Sequence, residues 1–332
     1  MQPFEYARAR DAQDAVNAVG RAPGSKFLAG GTNLVDLMKQ QVELPSHLID
    51  INRLDLAKIE ALPDGGLRLG ALARNADTAN HELVRQHYPL LSQAILAGAS
   101  PQLRNMATNG GNLLQRTRCY YFYDPAYEQC NKRKPGSGCA AIGGFNRIHA
   151  VLGASAACIA THPSDMCVAL AALEAVVQVR GRRGQRSIRF AEFHRLPGDS
   201  PQVDTNLRAD ELIVSIDLPK GPYAEHSSYV KARDRASYAF ALVSAAAALE
   251  MEGGTIRSAR LALGGVAHKP WRPEKAEAAL AGKPANTASF QAAAELALAG
   301  AKTYEHNAFK VAMAKETIVR AFTQAAGKGE QT

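Results

Sequence analysis

Hydrophobic and polar positions along the first fifty residues predict a small unit of alternating strands and helices. Short apolar runs at 4–7, 26–29 and 47–51 are typical of strands. The segments between them, 11–19 and 33–40, have apolar residues at helical spacing. A β-α-β unit is the simplest structure that buries both patterns.

A second α/β lobe is predicted after this unit. The Asp64-Gly65-Gly66 turn between two apolar runs predicts a hairpin. The further elements predicted in this lobe are strands at 59–61, 67–69, 175–179, 187–190 and 211–218, and helices at 78–86, 90–97 and 165–174. The basic segment 180–186 lies between two of these strands and is predicted to be an exposed hairpin tip.

A domain boundary is predicted at the Pro219-Lys220-Gly221-Pro222 sequence. Beyond it, three strands at 228–232, 241–251 and 255–263 and three alanine-rich helices predict an α+β domain. The predicted organisation is an N-terminal domain at 1–222, with subdomains at about 1–55 and 56–222, and a C-terminal domain at 223–332.

Regular periodicity fails between about 113 and 160, which predicts an insertion at about 115–160. All five cysteines, Cys119, Cys130, Cys139, Cys158 and Cys167, lie in or just after it. Long loops without secondary structure are uncommon unless they are functional or held by a metal. An odd cysteine count in a large chain argues against a disulfide framework.

Composition excludes some classes of protein. A chain of 332 residues that is 46% hydrophobic and 21% charged can bury a sizeable core. The net charge of +8 comes from scattered residues without a nucleic-acid-binding motif, so an acidic protein partner explains it equally well. No run of about 18 apolar residues occurs, and the first residues lack a basic and an apolar region. We expect neither a membrane span nor an export signal.

Two glycine-rich loops are the first chemical signal. KFLAGGTNL at 26–34 and ATNGGNLL at 107–114 each place Thr, Gly-Gly and Asn at the junction of two elements. Glycines allow close approach of a ligand, and backbone amides before a helix bind phosphate, so the two loops together are predicted to bracket a diphosphate. A third segment, HPSD at 162–165, opens a helix, where Asp165 either caps the helix or binds a sugar hydroxyl.

The order of these three motifs, followed by Lys231 in YVKARDRASYAFALVS, resembles the FAD subunit of the xanthine-oxidase family of molybdenum hydroxylases. TRCYYFYD, QCNKRKPGSGC, CIATHPSDM and GGVAHKPWR resemble the periplasmic aldehyde oxidoreductase type, whose FAD subunit carries an added iron–sulfur insertion. The fold that this resemblance implies is α+β: a vanillyl-alcohol-oxidase or PCMH-type FAD-binding domain, then a domain like the C-terminal domain of CO-dehydrogenase flavoproteins.

The resemblance also implies a set of FAD-binding residues. The diphosphate would lie on the two loops, Asp165 would bind the ribityl or adenosine portion, and Ile213 would line the flavin pocket. Lys231 would lie near the N1/O2 edge, where a cation stabilises reduced flavin. The full predicted set is Lys26, Phe27, Leu28, Ala29, Gly30, Gly31, Thr32, Asn33, Leu34, Ala107, Thr108, Gly111, Asn112, Leu114, Asp165, Ile213 and Lys231.

The cysteine spacing, C-x10-C-x8-C-x18-C-x8-C, matches no compact iron–sulfur or zinc pattern. The resemblance implies that Cys119, Cys130, Cys139 and Cys158 bind a 4Fe–4S cluster, whose negative charge the nearby Arg118, Lys132, Arg133 and Lys134 would offset. A structural zinc ion on the same four ligands is the alternative. Cys167 is left over, and we expect it to be a buried thiol on a helix.

The implied function is electron relay from an organic substrate to an external acceptor. A molybdenum-cofactor subunit and a 2Fe–2S subunit would complete a heterotrimer, exported to the periplasm with a partner that bears the signal. The alternative location is the cytoplasm. The sequence has no molybdopterin-binding segment and no ferredoxin-type C-x4-C-x2-C run, so substrate oxidation is expected elsewhere. Two alternatives remain: a self-contained flavin oxidase, with His194 or His268 as acid or base, and a zinc-stabilised binding module without enzymatic activity.

Overall fold

Three β-sheets, each with its own helices, organise residues 1–327, the part of the chain that the computed structural model describes. The first sheet is parallel, with strand order β1-β3-β2. Its elements are β1 (Glu5–Arg8), α1 (Ala12–Arg21), β2 (Ser25–Leu28), α2 (Leu34–Lys39) and β3 (His47–Asp50). Asp11 caps α1 by accepting a hydrogen bond from the backbone of Asp14, and Val16 packs against Ile49 in the core of this lobe.

The second sheet is antiparallel and has five strands in the order β4-β5-β8-β6-β7. Its strands are β4 (Ile59–Ala61), β5 (Leu67–Gly70), β6 (Val176–Gly181), β7 (Gly184–Arg189) and β8 (Leu212–Leu218). The chain leaves this sheet after β5 and returns to it at β6. The insertion lies within that excursion, so it interrupts no strand pairing.

Short helices fill the excursion and the turn before β8. They are α3 (Asn75–Asn80), α4 (Glu82–His87), α5 (Pro89–Ala97), α6 (Pro101–Arg104), α7 (Asn109–Leu113), α8 (Tyr120–Tyr123), α9 (Ala140–Gly143), α10 (Asp165–Ala172) and α11 (Phe190–Phe193). Every residue of α10 is buried, since it packs between the second sheet and the C-terminal sheet.

The third sheet is antiparallel, with strand order β9-β10-β11 and three helices against one face. Its elements are β9 (Ser227–Ala232), β10 (Val243–Glu252), β11 (Thr255–Gly264), α12 (Glu274–Leu280), α13 (Thr287–Ala297) and α14 (Phe309–Ala325). Ala246 and Ala248 of β10 face the core of the second lobe, whereas Ala245 and Ala247 face the C-terminal helices. Because these side chains are small, helices approach the strand closely on both faces.

The structure confirms the predicted order of elements and corrects two details. The helix predicted at 78–86 is two helices, α3 and α4, separated at His81, whose backbone is extended. The Asn80 side chain donates to the carbonyl of Ala76 at the end of the first of them. The strands of the basic hairpin extend further than predicted, leaving only Arg182 and Arg183 in its turn. In residues 1–327, no helix is long and apolar enough to cross a bilayer.

We expect Phe322→Ala to lower the free energy of unfolding by about 3–5 kcal/mol, as is usual for a buried phenylalanine. Phe322 is fully buried, and its ring stacks on Phe290 with the centroids 5.3 Å apart. Leu296→Ala, which changes an exposed residue of α13, is the control and should alter the free energy by roughly 0.5 kcal/mol or less. Urea unfolding measures both values, and equal losses would contradict this packing.

Candidate functional site

A cavity of about 1370 Å³ lies where the first lobe, the second lobe, the insertion and the C-terminal sheet meet. Pockets for drug-sized ligands measure roughly 300–1,000 Å³, so this cavity has room for a larger ligand such as a dinucleotide. The predicted residues that line it are Lys26, Phe27, Ala29, Gly30, Gly31, Thr32, Asn33, Leu34, Ala107, Thr108, Gly111, Asn112, Leu114, Asp165 and Ile213. Two predicted residues, Leu28 and Lys231, do not line it.

The loop between β2 and α2 presents free backbone amides to the cavity. The N–H groups of residues 30–33 donate no hydrogen bond within the described part of the chain. Gly31 has a positive φ of 72°, and a Cβ atom at Gly30 would lie 2.0 Å from the carbonyl oxygen of Met106. Glycine at both positions therefore shapes the loop and lets it pack directly against the second loop. Consecutive free N–H groups of this kind form an anion site.

The second loop has the same residue types but a different role in the structure. Its amides are already bonded: Gly110 to the carbonyl of Ala71 (2.8 Å), Gly111 to the hydroxyl of Thr108 (3.3 Å) and Asn112 to the carbonyl of Thr108 (2.8 Å). The Asn112 side chain is bonded to Asn75 and accepts from a serine hydroxyl. Only the first loop offers a run of free N–H groups, and the second forms the opposing wall.

Asp165 connects the cavity to the C-terminal sheet. One oxygen of its carboxylate accepts a hydrogen bond from the hydroxyl of Tyr229 (2.6 Å), and the other lies 2.8 Å from the ammonium of Lys231. The Lys231 side chain is 4% exposed, so it lies behind Asp165. Ser164, rather than Asp165, caps α10. Burial and the adjacent carboxylate raise the pKa of Tyr229 well above its ordinary value, so this hydroxyl stays protonated.

The sequence did not point to the aromatic residues after Lys231 that also line the cavity. Tyr238 and Phe240 are 56% and 51% exposed, and Tyr238 has a positive φ of 50°, which is rare for an aromatic residue. The guanidinium of Arg118 lies 4.9 Å from the centre of the Phe240 ring. The signal that could have identified them is the presence of two aromatic residues in a polar segment outside the predicted strands, which suggests a ligand or partner contact.

All five cysteines are free thiols, and the four predicted ligands belong to one cluster. Cys119, Cys130 and Cys158 are buried, and Cys139 is partly buried against the same apolar residues. The backbones of Cys130 and Cys139 pair with each other in an isolated antiparallel β-bridge. The insertion is otherwise irregular, so these thiols lie together in a segment with little secondary structure.

The electrostatics of the cluster disfavour four thiolates without a metal. The thiol of Cys158 bonds Cys139, which lowers the pKa of Cys139 to about 6 and raises that of Cys158. Burial raises the pKa of Cys119 to about 12. A metal centre supplies the positive charge that lets such buried thiols ionise together.

Spacing separates two kinds of metal centre. Ligand sulfurs around one zinc ion lie about 4 Å apart, because each Zn–S bond is about 2.3 Å long and the geometry is tetrahedral. Among residues 1–327, the one group of three His, Cys or acidic ligand atoms within 4.8 Å of one another is His162, Cys167 and His194. Among these residues, no three of the four clustered cysteine sulfurs therefore lie within 4.8 Å of one another.

The group of His162, Cys167 and His194 does not form a metal site. His162 Nδ1 accepts from the backbone of Ser164 (3.4 Å), which places its proton on Nε2. His194 Nε2 donates to the carbonyl of Leu113 (2.8 Å), so two ligand atoms remain, fewer than zinc sites use. Cys167 is fully buried on α10, as predicted.

The two histidines considered as acid or base for a flavin oxidase do not line the cavity. Both are buried, and burial lowers the pKa of His194 and of His268 to about 4. His268 Nδ1 lies 2.9 Å from the carbonyl of Arg195. Neither residue is placed to exchange a proton with a ligand in the cavity.

Two cations of the insertion, Lys132 and Arg116, form ion pairs with residues outside it. Lys132, whose side chain is 2% exposed, pairs with Asp204 and donates to the carbonyl of Pro201 (2.8 Å). Arg116 lies 2.6 Å from Asp204 and also pairs with Glu43 of the first lobe. Burial alone would raise the pKa of Asp204, but Lys132 and Arg116 lower it to about 2.

The other predicted cations differ from one another. Arg133 donates to the backbone of Tyr121 (3.1 Å), and Lys134 is exposed. Burial lowers the pKa of Arg118 to about 10, which leaves it charged at neutral pH. Lys132 is the predicted cation whose charge acts on a cluster thiol, that of Cys158.

Comparisons with known proteins agree with this architecture. Residues 2–221 match the family described as the FAD binding domain in molybdopterin dehydrogenase, and residues 227–325 match the CO dehydrogenase flavoprotein C-terminal domain. The chain therefore belongs to the FAD-binding subunits of the xanthine-oxidase family of molybdenum hydroxylases, and it is a component of an oxidoreductase complex.

Individual relatives cover nearly the whole chain. It is 53% identical to the aldehyde oxidoreductase FAD-binding subunit PaoB of Escherichia coli K12, over 98% of this chain and 99% of that one. Crystal structures of carbon monoxide dehydrogenase from Hydrogenophaga pseudoflava and quinoline 2-oxidoreductase from Pseudomonas putida 86 match with TM-scores of 0.77 and 0.76. Their identities are 28% and 25%; the first covers 99% of this chain and 100% of that one, the second 98% of each.

We expect Gly30→Ala to abolish retention of FAD, because the added methyl group would collide with the backbone of Met106 and separate the two loops. Gly143→Ala is the control, since a Cβ atom there meets no atom within 4 Å. The measurement is flavin absorbance per chain after gel filtration. Full flavin content in Gly30→Ala would show that close contact between the loops is not required for binding.

Proposed function

We propose that this chain is the FAD-carrying electron-transfer subunit of a molybdenum-dependent aldehyde oxidoreductase and that it also holds a 4Fe–4S cluster on Cys119, Cys130, Cys139 and Cys158. The observation that carries the proposal is a wall common to the cavity and the cysteine cluster. Arg118 and Tyr120 both line the cavity, and Cys119 lies between them in the chain.

The first glycine loop is bonded directly to the insertion. The Asn33 side chain accepts from the backbone of Arg116 (2.8 Å) and donates to the hydroxyl of Tyr123 (3.0 Å). The two sites therefore have a fixed relation to each other, as electron transfer between two cofactors requires.

For FAD, the free amides of residues 30–33 would hold the diphosphate, and Ile213 would contact the flavin ring. Asp165 would bind hydroxyl groups of the cofactor, with its orientation fixed by Tyr229 and Lys231. The positive charge of Lys231 would act on the reduction potential of the flavin from behind this carboxylate. Bound FAD would supply the capacity to accept electrons one at a time from iron–sulfur centres and to deliver them singly or in pairs to an acceptor.

For the cysteines, we propose iron rather than zinc, because in the described part of the chain no three of their sulfurs lie within 4.8 Å of one another, whereas the ligand sulfurs of one zinc ion lie about 4 Å apart. Their burial among apolar side chains would keep water from a bound cluster, and Lys132 would supply positive charge near Cys158. The residues present fit a cluster of four irons with one thiolate on each iron.

The proposed partners are a molybdenum-cofactor subunit, which would contain the substrate pocket, and a 2Fe–2S subunit, together forming a heterotrimer. The 53% identity to an aldehyde oxidoreductase subunit supports an aldehyde as the substrate. An external acceptor would take electrons from this chain. We further propose a periplasmic location, reached by export with a partner that bears the signal. We propose no nucleic-acid partner.

The decisive experiment compares the purified complex with this chain alone, both without oxygen. Adding an aromatic or aliphatic aldehyde should bleach the flavin absorbance of the complex and leave that of the isolated chain unchanged. Bleaching of the isolated chain would instead support a self-contained flavin oxidase. A colourless chain that contains stoichiometric zinc would support the binding module.

Replacing any one of Cys119, Cys130, Cys139 and Cys158 with Ser should reduce iron far below four atoms per chain and increase proteolysis of the insertion. The physical reason is that each thiolate binds one iron and the insertion depends on the metal for order. Cys167→Ser is the matched control, because this thiol lies on α10 outside the cluster. Iron analysis of protein isolated without air tests this, and iron loss in Cys167→Ser alone would refute the ligand assignment.

A further inference from the structure

One side chain contacts a predicted cluster ligand and has no part in the function proposed above. The Nε2 atom of His149 lies 3.1 Å from the Sγ atom of Cys119. Both residues are buried, with His149 at 1% and Cys119 at 7% exposure. A hydrogen bond between two buried groups is stronger than one in water, because no water molecule competes for either group.

The chemistry of a metal-bound cysteine fixes the direction of this hydrogen bond. A ligating thiolate carries no proton, so the proton of the contact must be on Nε2 of His149. The other nitrogen, Nδ1, is buried and has no hydrogen-bond partner in the described part of the chain. The ring therefore directs its one N–H group at the sulfur.

The C-terminal domain holds His149 in this position. The Nζ atom of Lys310 donates to the backbone carbonyl of His149 (2.9 Å), and the Asn307 side chain donates to the carbonyl of Ala150 (3.2 Å). Lys310 is fully buried and also contacts the carbonyl of Gly265. These buried hydrogen bonds fix the backbone that carries the imidazole ring.

We propose that His149 is a positioning residue that donates an N–H···S hydrogen bond to Cys119 and thereby raises the reduction potential of the iron–sulfur cluster. One-electron reduction adds negative charge to the cluster and its thiolates. A hydrogen bond to a ligand sulfur stabilises that charge and so favours the reduced state. The inference rests on the 4Fe–4S cluster of the proposed function.

The test compares His149→Met with His149→Gln in the complete complex. Methionine fills the space without a donor, whereas the amide nitrogen of glutamine can occupy the position of Nε2. We expect both variants to keep four irons per chain. The midpoint potential of the cluster, from a redox titration followed by low-temperature electron paramagnetic resonance, should become more negative in His149→Met and return toward the wild-type value in His149→Gln.

His306→Met is the control, because this nearby histidine packs against the Phe145 ring, with the centroids 5.1 Å apart and the planes at 60°, and has no cysteine contact within residues 1–327. Its potential should equal that of the wild type, and the 2Fe–2S potentials of the partner should not move in any variant. An unchanged potential in His149→Met with full iron would overturn the inference and leave the proposed function intact. Wild-type protein without iron would overturn both.

A second measurement needs no substitution and covers the case in which His149→Met loses its cluster. Protein labelled with ¹⁵N only in histidine should show a weak nitrogen coupling to the reduced cluster in pulsed electron paramagnetic resonance, as expected through a hydrogen bond. No coupling would overturn the inference. A strong coupling would also overturn it, because it would make His149 a ligand.

Discussion

The partly buried carboxylate of Asp204 is the contact on which the placement of the insertion depends. Lys132 and Arg116 enter the protein interior with the insertion, and a buried charge is stable only when it is paired. Asp204, on the segment before β8, satisfies both. Since Arg116 also pairs with Glu43, one ionic network connects both lobes to the insertion. The common wall of cavity and cysteine cluster follows from this attachment.

Much of the fold was predictable because strands and helices leave periodic patterns. The alternating strands around the Asp64-Gly65-Gly66 turn and the apolar segment of α10 were identified on that basis. The break between α3 and α4 was missed because it is an extended backbone at His81, and no glycine or proline in 78–86 marks it in the sequence. Contacts between residues far apart in the chain, such as Asp204 with Lys132, leave no periodic signal.

The candidate site shows the same division. The glycine loops were recognisable because close backbone approach restricts the residue type at Gly30 and Gly31. Residue type alone did not reveal that the amides of the two loops differ in availability, since this depends on bonds to distant carbonyls such as that of Ala71. The position of Lys231 behind Asp165 likewise depends on how the C-terminal sheet packs on α10.

The Asp165–Lys231 pair joins two parts of the chain that belong to different domain families. A ligand that contacts Asp165 in the cavity is therefore thermodynamically linked to the docking of the C-terminal sheet. Such linkage is reciprocal. If a partner protein that stabilises this sheet increases the affinity for the ligand, the ligand increases the affinity for the partner by the same factor. Filling of the cavity and binding of any partner that docks on this sheet would then promote each other.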